Sequence, residues 1–380
     1  MFKSEKARGL LYQALLLAAV LGLGWYLVSN TLHNLQTRNI QVGFGFLTKE
    51  AGFEIAEKGI NYDPADSYGR AFAVGLVNTL TVAALGVFFA TVIGTLVGIG
   101  RLSSNWLLAK FSAGYVEVMR NVPLLLQLFV WYGLFTELLP GVREAIDVGG
   151  WLFISQRGFR FAWPEAHAAW SAVPWALFAG GAAAFIFRAW ARQRQRRTGQ
   201  ILPVGRISAA LILGLPLLAW AALGAPTQMQ IPTLAGFDFE GGKILSPEFM
   251  ALLIGLSTYT AAFIAEVVRA GILAVDRGQG EAAMALGLTP GQRLRLVTLP
   301  QALRVIIPPM TSQYLNLAKN SSLAVAIGYP DLVAIANTTM NQTGQAIEAI
   351  AILMGVYLTI SLLISLFMNW YNDRVRLVER

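Results

Sequence analysis

The chain reads as an all-α integral membrane protein with about eight membrane-spanning helices, on three observations. Of its 380 residues 56% are hydrophobic and only 13% charged, about half the charge expected of a soluble domain. Mean hydropathy is +0.56. The apolar residues fall in runs near the length, about 20 residues, that crosses a ~30 Å hydrocarbon core, and the basic residues gather between alternate runs.

The spans are expected at 10–29, 71–99, 107–140, 168–187, 207–224, 248–272, 305–327 and 348–370. The first, apolar from Leu10 to Val28, is long for the core of a signal peptide and lacks a small-residue cleavage site, so it reads as a retained helix. The second and last are clean: 30 residues between Arg70 and Arg101 carry no formal charge, nor do the 24 between Glu348 and Asp373. Glu117, Arg120, Glu266 and Lys319 interrupt the third, sixth and seventh. The stretch 30–70, which mixes polar residues with Phe44, Phe46 and Phe53, reads as an ordered surface segment.

Orientation follows the lysines and arginines. With the N-terminus in the cytoplasm, the inside segments hold 17 Lys plus Arg in 77 residues and the outside segments 8 in 111. That density ratio of about three is what the positive-inside rule demands, and both termini are then cytoplasmic. The densest cluster is Arg188, Arg192, Arg194, Arg196, Arg197 and Arg206. It reads as an orientation signal touching lipid head groups, with a regulatory site as the alternative.

The net charge of +8 is spread between apolar runs, so membrane lipid, not nucleic acid, is its expected counterpart. The absence of cysteine excludes disulfides and thiolate chemistry. The only histidines, His33 and His167, lie outside the apolar runs, and no metal site is expected. No Gly-x-x-x-x-Gly-Lys-Ser/Thr phosphate loop occurs, so no ATPase site is expected in this chain.

The loop 273–304 carries the most local information. Glu281 to Leu286 is helix-favouring, and Gly287 is a left-handed stop. Thr289, Pro290 and Gln292 then stand at N-cap, N1 and N3 of a second helix, a capping box with proline where its missing N–H costs nothing. Pro300 is expected to end that helix. A stiff elbow of this kind suits a docking partner; an ordinary well-capped loop is the plainer reading.

The spacing of Glu281-Ala282-Ala283, Gly287, Val297, Leu299 and Pro300 resembles the loop by which permeases of bacterial ABC importers engage their ATPase, with Val297 where isoleucine is usual. Glu266-Val-Val-Arg269, Gly278-Gln279, Leu299-Pro-Gln-Ala302, Lys319-Asn-Ser-Ser-Leu323 and Tyr115-Val-Glu117 through Arg120-Asn-Val-Pro123 to Gln127 and Phe129 narrow the resemblance to the polar amino-acid branch. The whole chain, with Asn39-Ile40 through Phe46, is similar to the larger permease of general L-amino-acid uptake systems.

That resemblance implies a five-helix importer-permease core, with an N-terminal helix and periplasmic segment (1–70), core parts at 71–140 and 246–380, and an insertion at 141–245 that adds a helix pair. It implies a multi-pass subunit of the bacterial inner membrane that moves L-amino acids from periplasm to cytoplasm by alternating access. The expected partners are a second permease subunit, two cytoplasmic ATPase subunits that hold ATP and magnesium, and a periplasmic amino-acid-binding protein. A secondary transporter driven by an ion gradient is the alternative; it has no need of the elbow. A membrane-embedded enzyme using a Ser/Lys dyad at Lys319 is a remoter one.

Charge inside a membrane costs at least ~2.5 kcal/mol on insertion scales and faces protein or water. Glu117 with Arg120, and Glu266 with Arg269, have the i,i+3 spacing of ion pairs; either they neutralise themselves or they line a pathway that meets a zwitterion. Lys319 has no acid at i±3 or i±4 and needs a partner elsewhere, either a substrate carboxylate or a partner acid such as Glu266. Asn316, Asn320, Ser321 and Ser322 make a polar belt around it that either lines the pathway or bonds helices together. Gln127 joins the pathway candidates, and Pro123, Pro308 and Pro309 are expected to bend their helices.

Overall fold

The computed structural model describes residues 5–37 and 43–375, so Asn39 and Ile40 lie outside the described residues. The chain divides into two compact units, Met1–Leu134 with Glu248–Arg380, and Phe135–Pro247.

The first unit is helical. Its elements are α1 (Glu5–Thr37), α2 (Tyr68–Gly100), α3 (Trp106–Asn121) and α4 (Leu124–Gly133), then, after the second unit's α5 (Ala168–Thr198) and α6 (Val204–Ala222), α7 (Pro247–Leu273), α8 (Arg277–Ala285), α9 (Pro290–Arg293), α10 (Leu299–Asn320), α11 (Leu332–Thr343) and α12 (Ala346–Val375). Among the described residues six helices are long and apolar enough to cross a membrane, or eight if each of two bent pairs counts as one span.

Those pairs correct two expected spans. The segment 107–140 is two helices that meet at 105°. Pro123 forces the residue before it out of helical space, and Val122 is accordingly extended, with φ −95° and ψ 127°. The segment 305–327 belongs to a longer rod, residues 290–327, that bends by 52° into α11. Its break is not at Pro308 and Pro309, through which α10 passes uninterrupted, but at the left-handed Gly328, φ +79°.

Close helix contact explains the composition of α2. Gly86, Ala90, Gly94 and Gly98 recur every fourth residue, which puts them on one face, and all are buried. A Cβ on Gly94 would lie 2.8 Å from the carbonyl oxygen of Ala261, and one on Gly98 2.7 Å from that of Ala265. Only glycine lets the α2 and α7 backbones meet this closely, as small residues do between helices in lipid. Residues 43–67 lie over the α2, α11 and α12 end of the unit: Phe46, Ile55 and Tyr62 are buried in one cluster with Phe72, Leu332, Ile335 and Ala349, and Gly43 N donates to Glu348 Oε1 at 2.6 Å.

The second unit is a helical hairpin, α5 and α6, with eight short strands that span-by-span hydropathy does not reveal. Strands β1 (Ile146–Val148), β2 (Leu152–Ser155), β3 (Gly158–Phe161) and β8 (Lys243–Leu245) form one antiparallel sheet in that order; β4 (Trp163–Pro164) pairs β5 (Met229–Gln230), and β6 (Thr233–Ala235) pairs β7 (Asp238–Glu240). α5 runs to Thr198, eleven residues beyond the expected end at 187.

Candidate coupling elbow and membrane-embedded charges

The elbow is built from local hydrogen bonds. Asp276 caps α8 by accepting from Gly278 N at 2.7 Å. The N–H of Gly287 reaches Met284 O (2.9 Å), and the φ of +74° at Gly287 lets that of Leu288 reach Ala283 O (3.1 Å), satisfying carbonyls that a helix end leaves open. Thr289 and Gln292 form the reciprocal capping box, with Thr289 N donating to Gln292 Oε1 at 2.9 Å.

The end expected at Pro300 is not there. A π-turn over Leu294–Thr298 feeds directly into α10, with Pro300 in the first turn of the new helix. Such a wide turn restarts the hydrogen-bond ladder, so the missing proline N–H falls where helices leave donors unused anyway. The elbow is thereby stiffly joined to α10, and Gln301 Nε2 also donates to Gln279 Oε1 at 3.3 Å.

Within the elbow Ala283 is buried and anchors α8, while Glu281, Ala282 and Gly287 are exposed, Val297 and Pro300 half-buried, and Leu299 exposed. A cavity of about 320 Å³ opens among Asp276, Arg277, Glu281, Met284 and Arg293. Met284, Leu286, Leu294 and Leu296 stand exposed. A charged hollow flanked by bare apolar side chains has the composition of a protein-docking surface.

The intramembrane charges sort differently from their spacing. Arg269 Nη2 lies 2.5 Å from Glu266 Oε1, and Arg101 at the end of α2 is paired with the other oxygen of the same carboxylate. Glu266 is therefore held by two guanidiniums from two helices and is not the partner of Lys319. No ion pair joins Glu117 to Arg120 among the described residues. Arg120 instead lies over the Phe263 ring, 5.2 Å from its centre, a cation–π arrangement. A cavity of about 270 Å³ is lined by Arg101, Glu117, Arg120, Asn121 and Phe263.

Gln127 is buried and acts on the break between α3 and α4: its Nε2 donates to Met119 O (2.9 Å) and Val122 O (3.0 Å), while its Oε1 is buried without a partner among the described residues. The serines of the polar belt turn back on their own helix end, Ser321 Oγ to Ala318 O at 2.8 Å and Ser322 Oγ to Lys319 O at 2.7 Å. They do not bond another helix through those donors. Asn316 and Lys319 are exposed and Asn320 half-buried. Lys319 has no ion pair among the described residues.

Two groups escaped the sequence reading. Arg101 had a signal, since it closes a 30-residue uncharged run. Asn78, a polar residue inside that run, is the other. Its Nδ2 donates to Glu57 O and Pro330 O, both at 2.9 Å, and its Oδ1 accepts from Gly59 N at 3.1 Å, tying residues 57–59 to α2 and to the 328–331 break. Beside it Thr79 Oγ1 accepts from Leu332 N at 3.1 Å, and the buried Asp331 caps α11 through Ala334 N at 2.8 Å.

Comparison with known proteins gives concordant matches. Residues 201–377 match the model of the family described as binding-protein-dependent transport system inner membrane component. The chain is 49% identical to a general L-amino acid transport system permease of Rhizobium johnstonii, over 99% of this chain and 94% of that one. It is 50% identical to a putative amino-acid ABC transporter permease of Escherichia coli, covering 100% and 97%. A glutamate/glutamine/aspartate/asparagine transport system permease of Rhodobacter capsulatus is 42% identical over 96% and 92%.

Proposed function

The chain belongs to the family of inner-membrane permease components of binding-protein-dependent ABC importers, and from that membership we propose that it is the subunit through which L-amino acids pass from periplasm to cytoplasm. As a member it is a multi-pass inner-membrane transport subunit whose energy comes from a separate ATPase, which sets aside the ion-gradient alternative. The observation that carries the substrate class is near 50% identity, over almost the whole chain, to two permeases named for amino-acid systems.

In this reading both termini are cytoplasmic, and the elbow of α8 and α9 faces an ATPase subunit. Two ATPase subunits, a related second permease and a periplasmic amino-acid-binding protein complete the assembly, with ATP and magnesium held by the ATPases. ATP-driven closure pushes on the elbow, and its continuity with α10 passes that displacement into the membrane helices. Coupling of this kind is a bias between two states by differential binding. Pathway contacts are assigned to Glu117, Arg120, Asn316, Lys319 and Asn320. Glu266 and Arg269 fasten α2 to α7 through Arg101 at the pathway's edge, and Gln127, Ser321 and Ser322 hold backbone.

The test is reconstitution. Proteoliposomes containing this chain, its co-purifying permease and ATPase should take up labelled amino acids only with binding protein and ATP. Uptake driven by a proton or sodium gradient without ATP would refute the reading.

A further inference from the structure

Transport leaves the six arginines of the hairpin without a task. Between Glu165 and Asp238 the chain has no acidic residue, yet Arg188, Arg192, Arg194, Arg196, Arg197 and Arg206 all fall there. α5 and α6 are tightly apposed: a Cβ on Gly180 would lie 2.5 Å from Leu211 O, and Arg188 Nε donates to Ser208 Oγ at 3.1 Å. These contacts run antiparallel, so all six arginines collect at the turn end of the hairpin. None of them has an ion pair among the described residues.

Their depth follows from length. The 31 residues of α5 span about 46 Å at ~1.5 Å each, against ~30 Å for the hydrocarbon core and ~40–45 Å with head groups. With 168–187 in the core, the final eleven residues of α5 reach through one head-group layer. Trp190, 46% exposed, falls at the interface where tryptophan anchors helices. The Arg194 guanidinium lies 5.2 Å from its ring.

We propose that this end of the hairpin is a binding site for anionic phospholipid head groups, whose phosphates the guanidiniums take up. An orientation signal needs positive charge only during insertion. A lasting cluster of six unpaired cations at head-group depth needs a standing counter-anion, and the lipid phosphodiester is the anion present at that depth. Arginine's planar fork binds phosphate through two parallel hydrogen bonds.

The test uses the full chain, extracted from membranes in mild detergent, with co-purified phosphatidylglycerol and phosphatidylethanolamine quantified by mass spectrometry. Wild type should be enriched in phosphatidylglycerol, and R192Q/R194Q/R196Q/R197Q should lose that enrichment by at least about tenfold. The control K3Q/K6Q/K49Q/K110Q, which removes four charges elsewhere, should keep it. Enrichment should also fall in 1 M salt, where the Debye length is about 3 Å, but persist in millimolar inorganic phosphate. Should the glutamine variant fail to accumulate, the four Arg→Lys changes preserve charge and insertion and should weaken enrichment in part. Equal enrichment in all variants overturns the proposal. So does displacement of the lipid by millimolar inorganic phosphate, or loss of the ATPase subunit with lipid unchanged.

Discussion

Gly287→Val isolates the elbow as the coupling element. Gly287 has φ +74°, and among the described residues nothing lies within 4 Å of where its Cβ would be, so an added Cβ meets no neighbour there. The penalty is backbone alone, about 1–2 kcal/mol for a left-handed L-residue, with a branched Cβ at the upper end. The hydrogen bond from Leu288 N to Ala283 O that closes α8 depends on this conformation. The elbow is exposed and closed by few bonds, so the penalty falls on its local order and not on global folding. One to two kcal/mol reduces the ratio of formed to unformed elbow about 5–30-fold. Asparagine tolerates the left-handed region, and Gly287→Asn is therefore the control. In reconstituted complex, Gly287→Val should insert normally but lose ATP-driven uptake and binding-protein-stimulated ATP hydrolysis by up to about 5–30-fold, while Gly287→Asn stays near wild type. Wild-type coupling in the valine variant, or equal loss in both, would falsify the assignment.

Lys319→Met should fold and assemble, because no acid among the described residues pairs with Lys319, but lose amino-acid uptake; adding Glu266→Gln should bring no rescue, and normal uptake in the single variant would remove Lys319 from the pathway. Gly98→Val should sharply reduce assembled protein, because its Cβ would press on the Ala265 carbonyl and overpacking costs typically 1–3 kcal/mol, whereas Gly114→Ala, with open space around it, should accumulate normally. For topology, the cysteine-free chain permits single probes: an impermeant maleimide on intact cells with a permeable outer membrane should label Lys58→Cys and not Thr198→Cys, and labelling at 198 would invert the orientation.

Features that depend on near neighbours in the chain were legible in the sequence. Hydropathy averaged over a span located the apolar helices, because lipid selects each by its own composition. The Thr289–Gln292 capping box and the left-handed Gly287 were readable because their hydrogen bonds join residues three to five apart. The break before Pro123 was readable because proline restricts its immediate neighbour, although its 105° angle was not. Pro300 shows the limit even of local rules: a π-turn that ends two residues upstream moves the proline to a position where it costs little.

What the tertiary structure alone decided is which polar groups meet. The i,i+3 spacing was the same for Glu117–Arg120 and Glu266–Arg269, yet only the second pair forms, because Phe263 of α7 offers Arg120 a ring and Arg101 reaches Glu266 from 165 residues away. Asn78 likewise meets Glu57, Gly59 and Pro330 only once residues 43–67 fold over α2. Such partnerships depend on how helices cross, and crossing is set by contacts such as Gly94 and Gly98 on α7. A short window of sequence carries the spacing of charges but not the neighbours that compete for them.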